Sequence, residues 1–182
     1  MRPFTVSVAA LVHRPGARHR EQVSGSISGL AVVGTAVPGD GVVVVDTSLA
    51  WVTDGLLATG TVCAPWTGEC RRCLCPVTGE LAVEFCELFE DSPRDGESYQ
   101  LRLDTIDLTP LAREAILLDL PLAPVCSPDC KGLCPTCGAD LNRGSCDCAP
   151  ASGDARWAAL DVLRNTGTSG SGNGSGDTGR PD

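Results

Sequence analysis

The chain has 182 residues, of which 42% are hydrophobic and 4% aromatic, so we expect a core of aliphatic side chains. Its formal net charge of -9 argues against binding nucleic acid through a broad basic surface, because phosphates would be repelled. No apolar run approaches the roughly 20 residues that a membrane helix needs. The apolar stretch 6–12 is followed by no secretory cleavage site. We therefore expect a cytoplasmic protein.

Residues 41–62 have the pattern of a β-hairpin. The Val-rich run Gly41–Val52 is typical of a buried strand, and Asp54-Gly55 separates it from the apolar run Leu56–Val62. Asp-Gly between two such runs favours a type I′ turn, in which both central residues have positive φ. Alternating or β-branched patterns predict three further strands, at 23–28, 81–86 and 97–103.

One helix is marked by its ends. Thr109 is the predicted N-cap, Pro110 suits the first helical position, and Pro121 ends the helix. The apolar face predicted to pack on the sheet consists of Leu111, Ala115 and Leu118. Residues Arg156–Arg164 are a second, shorter helical candidate.

Six of the 11 cysteines lie within residues 126–148, which is the strongest chemical signal in the chain. In a protein that is not exported, such clusters are more often metal ligands than disulfides. The segment Cys134-Pro135-Thr136-Cys137-Gly138 has the spacing of a zinc knuckle, in which two thiolates reach one ion from a tight turn. Cys146 and Cys148 suit the position of the second pair, and the two upstream cysteines compete with them. We predict one structural Zn²⁺ held by four of six residues, Cys126, Cys130, Cys134, Cys137, Cys146 and Cys148.

A second cysteine motif, Cys70-Arg71-Arg72-Cys73, indicates its chemistry less specifically than the cysteines at 126–148 do. Its spacing is shared by metal knuckles and redox motifs, and the two arginines favour thiolate. A thioredoxin-like motif should open a helix, whereas Pro76 and a predicted strand follow here. A structural turn is therefore favoured, with metal and redox roles both open. Cys63 and Cys86 lie at strand positions, where we expect them to be small buried apolar residues.

Acidic residues are concentrated in residues 26–120, which carry 15 Asp and Glu against 5 Arg. The run from Glu84 to Asp91 is most simply a solvated surface, and its functional interpretation is attraction of a basic partner. The chain has two His and no nucleotide-binding, hydrolase or metalloprotease motif. We therefore expect no enzymatic activity.

Three motifs follow one another along the chain. They are His13-Arg14-Pro15-Gly16, the turn Gly68–Pro76 and the tail signature CKGLCPTCGADLN, which begins at Cys130 and is followed by Cys146-x-Cys148. Together they resemble the large ribosomal RNA subunit accumulation proteins, the YceD family. The resemblance covers roughly residues 4 to 164 and departs at Cys75, where members commonly carry an acidic residue. The residues of the central family motif are Cys70, Arg72, Cys73 and Leu74.

The resemblance implies a non-enzymatic bacterial factor in large ribosomal subunit biogenesis that supports synthesis, processing or stability of 23S rRNA. The implied partner is a large-subunit ribosomal protein or a pre-ribosomal particle, and the net charge disfavours extensive direct rRNA contact. No catalytic residue is implied. The alternative function is that of a thiol-based redox or zinc-handling protein that uses Cys70 and Cys73.

We expect an α+β fold in which an antiparallel β-sheet or partly closed barrel carries one or two packing helices. A small Cys-rich zinc knob follows toward the C-terminus. The predicted division is a core domain at 1–125, the Cys-rich segment at 126–150, a short helix at 151–165, and a disordered Gly/Ser tail at 166–182.

Overall fold

Nine strands and one helix make up the regular structure of the part that the computed structural model describes, which is residues 3–93 and 96–148 with Arg156 and Leu160. In chain order these elements are β1 (Thr5–Ser7), β2 (Arg18–Gly25), β3 (Ala31–Val32), β4 (Thr35–Ala36), β5 (Val43–Val52), β6 (Gly55–Glu69), β7 (Pro76–Glu90), β8 (Tyr99–Arg102), β9 (Thr105–Asp107) and α1 (Thr109–Asp119).

The strands β5, β6 and β7 form an antiparallel meander at the centre of the sheet. The predicted hairpin is confirmed, but its turn residues are Thr53 and Asp54, and neither has positive φ, so the predicted type I′ turn is wrong. Gly55 instead begins β6, where a Cβ would collide with the carbonyl group of Phe89 on β7. The glycine is therefore needed for close strand approach and not for the turn.

The other strands extend this meander on both sides. On one side β2 pairs with β5, and the short pair β3–β4 joins the far end of β6. On the other side β8 runs parallel to β7, and β9 and β1 follow in antiparallel pairing. The sheet curls into a half-barrel, so the expected antiparallel sheet is observed with one parallel pair among the described strands.

One hydrophobic core fills the concave side of the sheet. It includes fully buried side chains from the central strands and from the N-terminal segment, among them Phe4, Val45, Leu56 and Phe89. The alternation predicted for 81–86 is observed within β7, since Leu81, Val83 and Phe85 are buried or half-buried and their neighbours are exposed. The strands predicted at 23–28 and 97–103 are present as β2 and β8, with shifted ends.

The helix α1 packs against β6 and β7, and its bounds agree with the prediction. Its N-cap residue is Leu108, not Thr109, and the Thr109 backbone amide donates a hydrogen bond to the Asp107 carboxylate. The predicted apolar face is wrong in part, because Leu118 is 82% exposed. The side chains that α1 buries are those of Leu111, Ala112 and Ile116.

The predicted helix at 156–164 and the Gly/Ser tail at 166–182 lie outside the described residues, apart from Arg156 and Leu160. Within the described part of the chain, the helical segments are too short or too polar to cross a bilayer.

Candidate metal centres

Eight cysteines form two groups of four, and within each group all sulfur atoms lie within 4.8 Å of one another. The turn cluster consists of Cys70, Cys73, Cys75 and Cys126, and the tail cluster consists of Cys134, Cys137, Cys146 and Cys148. A tetrahedral zinc ion with Zn–S bonds of about 2.3 Å separates its sulfur ligands by about 3.8 Å. Both groups are therefore of a size that could hold one metal ion each, whereas the cysteine spacing in the sequence predicts a single site.

The tail cluster is built on a knuckle. The Cys134 amide donates to the Ala139 carbonyl at 2.8 Å, and the Gly138 amide donates to the Cys134 carbonyl at 2.9 Å. These bonds turn the chain so that the Thr136 amide lies 3.4 Å from the Cys134 sulfur. Gly138 has a φ of 74°, which glycine adopts without steric cost. The local sequence thus aims a backbone donor at a ligand sulfur.

The turn cluster lies at the end of the β6–β7 hairpin. The Cys70 amide donates to the Cys75 carbonyl at 2.8 Å, and the Leu74 amide donates to the Cys70 carbonyl at 2.9 Å. The Arg72 amide lies 3.4 Å from the Cys70 sulfur, as in the tail knuckle. Leu74 has a φ of 60°, an unusual conformation for a leucine. Three sulfurs are thereby gathered within one tight turn.

The fourth sulfur of the turn cluster comes from the segment that follows α1. The Thr35 hydroxyl donates to the Pro121 carbonyl, and the Arg71 amide donates to the Pro124 carbonyl, both at 2.9 Å. These bonds hold the segment against the hairpin, where the Cys126 sulfur lies 3.6 Å from that of Cys73. The contact is long-range in sequence and joins the hairpin to the chain beyond the helix.

Arg72 links the two clusters. Its guanidinium donates to the carbonyl groups of Pro128 and Cys130 at 3.0 and 2.9 Å, and its own carbonyl accepts from the Leu133 amide at 3.0 Å. Gly132 has a φ of 74°, and a Cβ there would lie 3.0 Å from the Arg72 carbonyl oxygen. The Cys-rich segment at 126–148, called the tail segment below, therefore packs directly against the central family motif.

Cys130 lies between the clusters and belongs to neither. Its buried sulfur is 3.8 Å from that of Cys70, and the Asn142 side-chain amide donates to it at 3.4 Å. Asn142 also accepts a hydrogen bond from the Lys131 amide at 2.8 Å. Of the six tail candidates, the structure thus groups four, gives Cys126 to the turn cluster, and leaves Cys130 between them.

Each cluster contains one thiol whose ionisation is favoured. Burial opposes ionisation of Cys70, but backbone amides of Cys126, Cys73 and Arg72 outweigh it and lower its pKa to about 6. Backbone amides of Cys137 and Thr136 lower the pKa of Cys134 to about 6. Neighbouring sulfurs have the opposite effect on other thiols of the clusters. Contact with Cys137 raises the pKa of Cys148 to about 11.

Cys63 and Cys86 are exposed, so the prediction that both are buried is wrong. Cys63 lies between Val62 and Ala64, whose side chains face the core, and Cys86 shares the outward face of β7 with Glu84. Strand alternation places both sulfurs on the solvent side. The redox interpretation of Cys70 and Cys73 calls for a turn that opens a helix, whereas the motif joins two strands and the Cys70 side chain is fully buried.

A groove of about 460 Å³ lies between β7, α1 and the chain before β8. Five acidic residues line it, and no Lys or Arg lies among its described lining residues. Four of them are Glu87, Glu97, Glu114 and Asp119, and the fifth is Glu84, whose side chain strand alternation directs to the outward face of β7. Tyr99 donates to the Glu114 carboxylate at 2.7 Å, and the exposed Leu118 supplies an apolar rim. Burial and the neighbouring Glu114 raise the pKa of Glu87. The acidic run of the sequence therefore contributes to a concave surface.

The profile of one family, described as large ribosomal RNA subunit accumulation protein YceD, matches residues 58–164. An uncharacterized protein of Mycobacterium tuberculosis is 40% identical over 149 residues, which cover 76% of this chain and 71% of that protein. An uncharacterized protein of Mycobacterium leprae is 32% identical over 150 residues, which cover 76% of this chain and 68% of that protein.

A shorter match is found in a plant. A Zea mays protein named large ribosomal RNA subunit accumulation protein YCED homolog 1, chloroplastic, is 52% identical over 46 residues, which cover 25% of this chain and 16% of the maize protein. No solved structure matches the chain.

Proposed function

The chain belongs to the YceD family of large ribosomal RNA subunit accumulation proteins, and from this we propose that it is a non-enzymatic factor for 23S rRNA accumulation. It would support synthesis, processing or stability of that RNA in the cytoplasm. The Zea mays relative carries the same description in its name. The family match is the observation that supports the role, and the geometry supports the way in which the role is performed.

We propose that the protein acts through protein contacts at the acidic groove. A net charge of -9 and four carboxylates around one concavity disfavour RNA and favour a cationic protein segment. Large-subunit ribosomal proteins are basic, so a segment of one, free or within a pre-ribosomal particle, has the complementary charge. Leu118 and the half-buried Phe85 add apolar contact area beside the carboxylates.

The cofactor that we propose for the tail cluster is one structural Zn²⁺ held by Cys134, Cys137, Cys146 and Cys148. An all-sulfur donor set of this size fits zinc, and four protein ligands leave no open coordination position for a substrate. The ion would hold together the loop between Cys134 and Cys148 and take no part in a reaction. The absence of an enzymatic activity is part of the proposal.

The primary test is depletion of the protein in its own cells, followed by the ratio of 23S to 16S rRNA and by ribosomal subunit profiles. We expect a selective fall in 23S rRNA and in large subunits. An unchanged ratio would contradict the proposed role.

The contact mode has a separate test. The triple variant Glu87→Gln, Glu114→Gln and Asp119→Asn removes three groove charges and keeps the acceptor for Tyr99. A matched variant with the same charge change elsewhere is Asp40→Asn, Asp54→Asn and Asp104→Asn, at exposed positions outside the groove. We expect only the groove variant to lose binding to purified large-subunit proteins and to fail to restore 23S rRNA. Equal behaviour of the two variants would contradict a role for the groove.

A further inference from the structure

The turn cluster is not accounted for by the single tail ion or by the acidic groove. We infer that it is a second metal site, in which Cys70, Cys73, Cys75 and Cys126 bind a thiophilic divalent ion of the Zn²⁺ class. Cys130 stands outside this ligand set although its sulfur is adjacent. This inference does not depend on the proposed role in rRNA accumulation.

The donor set and its spacing carry the assignment. The Cys73 sulfur lies 3.3 Å from that of Cys75 and 3.6 Å from that of Cys126, and all four sulfurs are mutually within 4.8 Å. This range brackets the separation of about 3.8 Å expected between sulfurs around tetrahedral zinc. Four thiolates without an oxygen or imidazole donor select a soft ion over Mg²⁺ or Ca²⁺. The group is thus matched to one tetrahedral ion.

The backbone prepares these sulfurs before any ion arrives. Hydrogen bonds across the turn bring Cys70 and Cys75 together, and the Arg72 amide points at the Cys70 sulfur. Donors of this kind stabilise sulfur-bound negative charge. The arginines at 71 and 72 add positive charge beside a centre that would carry a net charge of about -2 with four thiolates.

Five sulfurs meet near the turn, and the geometry distinguishes Cys75 from Cys130. Cys75 is one of the four mutually close sulfurs and contacts Cys73 directly. Cys130 contacts Cys70 at 3.8 Å but is not in the mutually close set of four. Cys130 is therefore assigned as a buried thiol that packs beside the site and is not a ligand.

Such an ion would clamp the segment after α1 onto the tip of the β6–β7 hairpin. Cys126 contributes the only ligand of this set that comes from outside the turn. Ligation by Cys126, together with the Arg71–Pro124 hydrogen bond, would fix the junction between the core and the tail segment. The two ions would then have separate tasks, one inside the tail and one between tail and core.

The test is metal content of the full chain, stripped of metal and reconstituted with Zn²⁺ under reducing conditions. Ions per chain are counted with a chromogenic chelator after the thiols are blocked, and thiolate ligation is followed by Co²⁺ charge-transfer absorption. We expect about two ions for the unmodified chain and about one for Cys75→Ser and for Cys126→Ser. The matched controls Cys130→Ser and Cys63→Ser should keep about two.

The variant Cys134→Ser keeps the turn cluster intact. It therefore tests the second site even if the turn-cluster variants fail to fold. It should retain about one ion, with the Co²⁺ absorption of a thiolate site. A single ion in the unmodified chain that disappears in Cys134→Ser would overturn the second site. Loss of an ion in Cys130→Ser together with full content in Cys75→Ser would overturn the ligand assignment.

Discussion

Replacing Gly132 by alanine tests how firmly the tail segment is seated on the hairpin. Gly132 has a φ of 74°, and a left-handed conformation costs alanine about 1 kcal/mol relative to glycine. The new Cβ would also lie 3.0 Å from the Arg72 carbonyl oxygen, a contact with backbone that cannot rotate away. That carbonyl accepts the Leu133 amide, so relief of the contact weakens a hydrogen bond of about 1 kcal/mol. We expect a total loss of about 2 kcal/mol in the free energy of unfolding.

The matched control is Gly16→Ala. Gly16 has a φ of 84°, and an added Cβ would meet no heavy atom within 4 Å, so this variant carries the conformational cost alone, about 1 kcal/mol. Urea unfolding of the zinc-loaded chains, followed by circular dichroism at constant m-value, measures both losses. Equal losses in the two variants, or a smaller loss for Gly132→Ala, would refute the reasoning about the Arg72 contact.

Three further predictions concern the helix, the arginine link and the groove. Ile116→Ala should cost about 2–5 kcal/mol in urea unfolding because the side chain is fully buried, while Leu118→Ala should change stability little and weaken partner binding. Arg72→Met should lower the free energy of unfolding by about 1 kcal/mol, because it removes the two hydrogen bonds that Arg72 Nη1 donates to the carbonyl groups of Pro128 and Cys130, and thermal unfolding with a measured metal content checks this. Because the pKa of Glu87 is raised in the folded state, its negative charge lowers the free energy of unfolding at pH values above that pKa. At acid pH, where Glu87 is protonated in both the folded and the unfolded state, this destabilisation is absent. Glu87→Gln should therefore raise the melting temperature at neutral pH and leave it unchanged in acid, and a similar gain at both pH values would contradict repulsion from Glu114 as a cause.

Local patterns in the sequence predict local structure well. The alternation in β7 and the Pro residues around α1 identify these elements, because side-chain periodicity and backbone restriction act over a few residues. The knuckle at Cys134 and Cys137 is likewise visible in the sequence, since its ligands and its turn lie within five residues. Each of these features is determined by neighbours in the chain.

The features that escape prediction depend on tertiary contacts. Cys126 is nearest in sequence to the tail cysteines, but the folded sheet brings it to the hairpin tip, and nothing in its local sequence indicates this. Leu118 continues the apolar stripe of α1 but is exposed and lines the groove, because the helix turns its face with Leu111, Ala112 and Ile116 to the core. The exposure of Cys63 and Cys86 does have a sequence signal, namely the alternation of the strands that contain them.

The two clusters differ in the length of chain that each one closes, and this difference bears on the order of folding. The tail cluster closes a loop of about 15 residues and the turn cluster a loop of about 50, which costs about 1 kcal/mol more in chain entropy. The tail site can form from local contacts alone. The strands β7, β8 and β9 and the helix α1 lie between the turn and Cys126 in the sequence, so we expect their packing to precede the arrival of Cys126 at the hairpin. We therefore expect the turn cluster to be completed late, after the core has formed, whereas the tail cluster can be completed by its own loop.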